Sequence, residues 1–183
     1  DHNGNYTHYV YDSTGTYLLK KAVSLNGAGS YSASADQSQY AITTYTYDES
    51  HAVKGLVKTE TPPLGDAHNY VAYTYNQKGQ KQTETRYVNG TPYQTRYQYN
   101  AKDLVTKETS ADGTVTNYTY NAFDEVIKKE GVSPDGRERA VERASYDVYG
   151  NPLVKATPLQ YEAGKDNLGA DSYSGAGTRY TYD

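Results

Sequence analysis

The large apolar side chains of this chain recur two residues apart. Tyr9-Val10-Tyr11, Tyr45-Thr46-Tyr47, Tyr73-Thr74-Tyr75, Tyr97-Gln98-Tyr99, Tyr118-Thr119-Tyr120 and Tyr180-Thr181-Tyr182 each place two rings around one residue of another kind. A period of two puts both rings on one face of a β-strand and the intervening Thr, Val or Gln on the other. Ala144-Ser145-Tyr146 is a degenerate copy that has lost its first ring. The second tyrosines stand at 11, 47, 75, 99, 120, 146 and 182, so the steps are 36, 28, 24, 21, 26 and 36 residues. A constant pattern with connections of variable length is a repeat architecture with loop insertions. No stretch carries the apolar periodicity of a helix.

The residue after each second tyrosine is Asp or Asn: Asp12, Asp48, Asn76, Asn100, Asn121, Asp147 and Asp183. Gly15, Gly79 and Gly150 follow three residues later, which matches a type I turn with an Asx side chain at its first position. Asp103 and Asp124 replace that glycine in two copies, and Asp tolerates a left-handed backbone. His51 holds the place in the second copy, with Gly55 further on, so a longer loop is predicted there.

Short β-like runs resume after the turns at Leu18-Leu19-Lys20-Lys21, Leu56-Val57-Lys58-Thr59, Leu104-Val105-Thr106-Lys107 and Val126-Ile127-Lys128-Lys129. Asn89-Gly90, Asp112-Gly113 and Pro134-Asp135-Gly136 then return the chain as hairpin turns. The prediction is an all-β chain, residues 1–183 forming a single array of about six hairpin repeats. About a dozen strands at ~4.8 Å spacing form a ribbon of nearly 60 Å that twists into a curved wall. Its outer edges would be unpaired, which with the missing initial Met predicts a piece of a larger protein. Segments 26–39 and 160–177 break the rhythm and are predicted as long surface loops, while Pro62-Pro63 and Pro158 mark strand exits.

Composition changes the picture in one respect. Leu, Ile, Val and Phe together number only 25 of 183 residues, a level that suggests disorder, but 23 tyrosines supply the missing apolar area. A net charge of −4 is too small for a self-repelling coil. Tyrosine needs a partner for its hydroxyl, which predicts half-buried sheet faces rather than a thick dry core. With no Cys there is no disulfide framework, thiolate nucleophile or thiolate metal site. No run approaches the ~20 apolar residues of a membrane-spanning helix.

The pattern Tyr-x-Tyr-(Asp/Asn)-x-x-Gly resembles the YD or Rhs repeat, and Asp147-Val148-Tyr149-Gly150-Asn151-Pro152-Leu153 is especially similar to that family's turn. The resemblance extends over nearly the whole chain. It implies a β-sheet spiralling into a hollow shell, as in bacterial Rhs proteins and the B and C components of insecticidal Tc toxins, with related repeats in animal teneurins. In the toxins the shell encloses a variable C-terminal effector. The family's Asp-Pro-x-Gly-x-x-Gly-Gly core segment is absent from these residues, so no autoprotease residue is carried over.

Candidate chemistry is sparse. His2, His8, His51 and His68 lack metal-ligand spacing and read as solvated loop residues. The acidic groups of Asp135-Gly136-Arg137-Glu138 read as a hairpin turn. Asn26-Gly27-Ala28-Gly29-Ser30 lacks the Lys-Ser/Thr ending of a phosphate loop. A pI near 5.6 lacks the basic footprint of nucleic-acid binding. The sequence therefore predicts no catalytic residue, cofactor or metal. The expected role is a wall segment whose partners are further repeats and an enclosed effector, in a secreted or cell-surface bacterial protein. The alternative is an extracellular adhesion module contacting glycans or a cell surface through its tyrosines and long loops.

Overall fold

The computed structural model describes residues 6–25, 31–32, 37–169 and 171–182. The chain divides into two compact units, residues 1–94 and 95–183. Parts of the 26–39 segment, together with His2 and Asp183, lie outside the described residues.

Unit 1 contains β1 (Thr7–Tyr11), β2 (Leu18–Ser24), β3 (Tyr40–Tyr47), β4 (Val57–Thr61), β5 (Val71–Tyr75), β6 (Lys81–Val88) and the start of β7 (Thr91–Tyr99). Each strand from β1 to β6 pairs antiparallel with its chain neighbours. Unit 2 continues β7 and adds β8 (Val105–Thr109), β9 (Val115–Tyr120), β10 (Val126–Val132), β11 (Arg139–Tyr146) and β12 (Pro152–Ala156). These too pair in chain order. Three two-residue strands follow: β13 (Asp166–Asn167), β14 (Ser172–Tyr173) and β15 (Thr178–Arg179). β13 pairs with β14, whereas β15 joins the free side of β12. The fold is all-β and antiparallel, as the alternation of the sequence predicts.

Backbone conformation at the turns follows from residue chemistry. Gly15, Gly79 and Gly150 adopt φ of 71°, 82° and 82°, and Asp103 and Asp124 take the same left-handed position at 66°. Asn89-Gly90 adopts φ of 49° and 79°, which turns β6 into β7 in two residues. In the second copy the turn lengthens to the loop between Tyr47 and Val57, with Gly55 at φ 82°.

Ala22, Ser24, Tyr40, Val71 and Thr85 are buried in unit 1, and a hydrophobic cluster lies in unit 2. There the segment after β12 covers the face of β11 and β12 that carries Arg143, Ser145, Val154 and Ala156, and Tyr173 is buried against Val154 and Ala156. Tyr161 packs on that cluster and stacks on Tyr173 with centroids 5.9 Å apart. The segment thus contributes a small hairpin and two rings to a core.

Arg143 anchors it. Its side chain is 0% exposed, and its Nε donates to Asp166 Oδ1 at 2.8 Å. Nη1 donates to the Ile127 carbonyl at 3.0 Å and also to the carbonyl of Ala144, and Asp171 Oδ1 lies 3.6 Å from Nη1. The Tyr161 hydroxyl donates to the second oxygen of Asp166 at 2.9 Å.

Candidate functional site

The repeat tyrosines and their turns are the repeated chemical feature of the chain. In each hairpin the Asx side chain replaces a turn of backbone. Asn76 Oδ1 accepts the N–H groups of Lys78 and Gln80 at 3.0 and 3.1 Å. Asn100 does so for Lys102 and Leu104, Asn121 for Phe123 and Glu125, and Asp147 for Tyr149 and Asn151. Asp12 accepts from Thr16 and Tyr17, and Asp48 from Ser50. These donors favour the charged form. The Thr14 hydroxyl foremost holds Asp12 below the usual carboxylate range, the Ser50 hydroxyl does so for Asp48, and the Asn151 amide for Asp147.

Directly after the Asx turn, each of the six described hairpins that begin with a Tyr-x-Tyr or Ala-Ser-Tyr strand carries one extra residue. Tyr11 faces Leu18 while Val10 faces Lys20, so Leu19 is left over. The same bulge occurs at Lys58, Gln82, Thr106, Ile127 and Leu153. A bulge bends its strand and increases the local twist. It also separates that strand end from the strand on its other side. The β2–β3 ladder stops at Lys20 and Thr44, β4–β5 at Thr59 and Ala72, and β10–β11 at Lys128 and Arg143. The carbonyl two residues before each stop therefore loses its ladder partner.

The second tyrosine of the following repeat supplies a replacement. Tyr47 Oη donates to the Leu18 carbonyl at 2.9 Å and Tyr75 Oη to that of Val57 at 2.7 Å in unit 1. In unit 2 Tyr120 donates to Val105 at 2.7 Å, Tyr146 to Val126 at 3.3 Å and Tyr182 to Pro152 at 2.9 Å. The hydroxyl thus staples a repeat to the bulge of the one before it within each unit. A buried carbonyl without a partner costs ~1–3 kcal/mol, so the staple keeps the bulge from becoming a weak point.

The first tyrosine has a different task. Tyr45, Tyr73 and Tyr97 face Glu60, Glu84 and Glu108 across their hairpins. The Tyr73 hydroxyl also reaches Glu60 of the preceding repeat at 3.3 Å, and Tyr118 reaches Glu108 at 3.4 Å. Burial, reinforced by Glu60 and Glu84, pushes the Tyr73 phenol up to about 12. On the opposite face the intervening threonines pair as hydroxyls, Thr46 with Thr59 at 2.6 Å and Thr74 with Thr83 at 2.7 Å. Tyr9 and Tyr11 lie on the first strand of unit 1 and are half exposed. Tyr99 ends β7 beside Asn100, its phenol raised by burial, and Tyr180 lies just beyond β15.

The histidines depart from the reading of solvated loop residues. His8 lies on β1 with its ring centroid 6.4 Å from that of Tyr40. His51 fastens the long loop to the next turn, with Nε2 2.9 Å from the Asn76 carbonyl and Nδ1 accepting from Val53 N–H at 3.0 Å. His68 alone of the described three sits in an exposed loop, beside Asp66. Among the described residues no group of three His, Cys, Asp or Glu is placed to hold a metal ion, and no helix is long and apolar enough to cross a membrane.

Residues 99–138 match the RHS repeat family. A comparison with curated protein sequences finds no match. Among solved structures, the crystal structure of TcdB2-TccC3-Cdc42 is similar over 94% of this chain, with 20% identity and a TM-score of 0.67. That of TcdB2-TccC3 without its hypervariable C-terminal region is similar over 94%, with 19% identity and a TM-score of 0.67. A Photorhabdus luminescens Tc holotoxin pore aligns over 79%, at 19% identity and a TM-score of 0.59. This chain spans only 7–8% of the length of these relatives. Residues 99–138 are thus similar to an RHS repeat, and the chain shares the all-β fold of these structures.

Proposed function

We propose that the chain is a non-catalytic wall segment of an Rhs-type shell, part of a secreted or cell-surface bacterial protein that encloses a C-terminal toxin or effector. The observation that carries this reading is the hydroxyl staple, because within each unit a repeat offers its bulge carbonyl to the next and receives a tyrosine from it. Such a unit extends by adding copies, and its bulges supply the twist that bends an extended sheet into a wall. The likeness to structures containing TcdB2 and TccC3 supports the same reading. The partners are then further repeats of the same chain and the enclosed segment, and the work done is confinement.

The test is limited proteolysis of the intact parent chain. The segment following the repeats is expected to resist trypsin in the native protein and to be digested once mild denaturant opens the wall. Digestion of that segment at the rate of the isolated peptide would overturn the proposal.

A further inference from the structure

The row of first tyrosines has a gap in unit 2. The pairing that sets Tyr97 opposite Glu108 and Tyr118 opposite Lys129 sets Ala144 opposite Lys155. Two changes coincide there. The ring is lost, and the position that receives the Tyr118 hydroxyl as Glu108 is occupied one repeat later by Lys129. Where the earlier copies join a phenol to a carboxylate, this copy has a methyl group opposite Lys155, with Lys129 in the place of the carboxylate.

At this place lies a cavity of about 600 Å³, with Ala144, Tyr146 and Tyr180 among its lining and Lys128, Lys129, Glu142, Arg143 and Lys155 as its charged residues. Lys129 Nζ lies 3.8 Å from Glu142 Oε1, and Lys155 Nζ lies 5.9 Å from the centre of the Tyr180 ring. The volume lies in the usual range for small-molecule sites, ~300–1,000 Å³. Arg143 is neutralised by Asp166, and Lys128 shares the face of Arg143, where it lies over the Tyr161 ring, so two lysines and one glutamate are left on the face of Ala144, a single net positive charge. Val126, Ile127, Ala156 and Pro158 contribute aliphatic groups to its walls, and Tyr146 and Tyr180 contribute rings.

We infer that this gap is a binding site for a small aromatic monoanion, a single ring bearing one carboxylate. The ring takes the place vacated at Ala144, between Tyr146 and Tyr180, and the carboxylate meets Lys155 and Lys129. Glu142 holds the site to one net charge and so disfavours dianions. The inference stands on the local geometry of unit 2 and is independent of any shell.

The experiment is a titration of the 183-residue chain with 4-hydroxyphenylacetate, followed by calorimetry and by NMR shifts. Saturable one-site binding is expected, with a Kd on the order of 0.1–1 mM. The neutral amide of the same compound and the variant Lys155→Met are each expected to weaken binding at least ~10-fold, about 1.4 kcal/mol. Ala144→Tyr, which refills the gap, is expected to abolish binding without lowering the Tm. Absence of saturable binding, equal affinity for acid and amide, or unchanged binding by Lys155→Met would each overturn the inference. The amide and lysine comparisons decide the matter even if Ala144→Tyr does not fold.

Discussion

Replacing Arg143 by alanine is expected to cost ~3–5 kcal/mol of stability in unit 2, the range for removing one member of a buried ion pair. The guanidinium is fully buried, and Asp166, only 5% exposed in its side chain, would be left with the Tyr161 hydroxyl as its remaining side-chain donor. The Ile127 and Ala144 carbonyls would lose a donor as well. Lysine does not repair this, because a single ammonium cannot present the planar fork that meets Asp166 and two carbonyls together. Urea denaturation gives the magnitude, and limited proteolysis gives the place: cleavage is expected first between Thr157 and Gly177. The double variant Arg143→Met, Asp166→Leu removes both charges and is expected to recover most of the loss. A cost below ~1 kcal/mol for Arg143→Ala would show that hydrophobic contacts of Tyr161 and Tyr173 hold the segment without the ion pair.

The second large effect is alkaline unfolding. Ten tyrosines, at 45, 47, 70, 73, 75, 99, 118, 120, 146 and 161, have phenols raised above their ordinary value of 10.0, with burial as the leading cause in each. Tyr73 and Tyr161 reach about 12, the latter aided by its bond to Asp166. Below pH 10 both folded and unfolded chains keep these protons, so the folded state retains its full stability. Between pH 10 and about 12 the unfolded chain releases them and the folded chain does not, so stability falls as pH rises. After allowance for solvent screening, Tyr73 and Tyr161 each contribute on the order of 1 kcal/mol. Phenolate absorbance and circular dichroism are expected to change together in that window. Stepwise titration with an unchanged β-sheet spectrum would show that the hydroxyls are not needed.

Much of the fold is legible in the sequence because its determinants are local. Tyr-x-Tyr alternation specifies strand and face, and an Asx followed by Gly or Asp three residues later specifies the turn. Asp103 and Asp124 adopt the left-handed conformation that the pattern required of them. The bulge is different. Leu18-Leu19 and Val126-Ile127 read as ordinary β-runs, because an unpaired residue inside a strand leaves no mark on the hydrophobic pattern. The staple is equally hidden, since it joins Tyr47 to Leu18 across 29 residues and Tyr120 to Val105 across 15. The structure shows hydroxyl bonds as the recurring link, with ring contacts such as Tyr17 on Tyr47 added locally.

The role of Arg143 is not legible in the sequence, for a related reason. Its partner Asp166 lies 23 residues away in a segment without periodicity, and nothing in Gln160 to Gly177 announces that Tyr161 and Tyr173 will be covered. Ala144 was legible as a degenerate copy. That its loss of a ring coincides with Lys129 and Lys155 became visible only through strand register.

The central claim is that the second tyrosine of each copy holds its repeat to the preceding one through its hydroxyl. The most direct test is a Tyr→Phe comparison by urea denaturation, which removes one oxygen and keeps the ring. Phe at Tyr47, Tyr75, Tyr120 and Tyr146 is expected to cost ~1–2 kcal/mol each, because each leaves a bulge carbonyl unpaired. Phe at the exposed Tyr6, Tyr93 and Tyr149 is expected to stay within ~0.5 kcal/mol of the parent. Equal effects in the two groups would contradict the account.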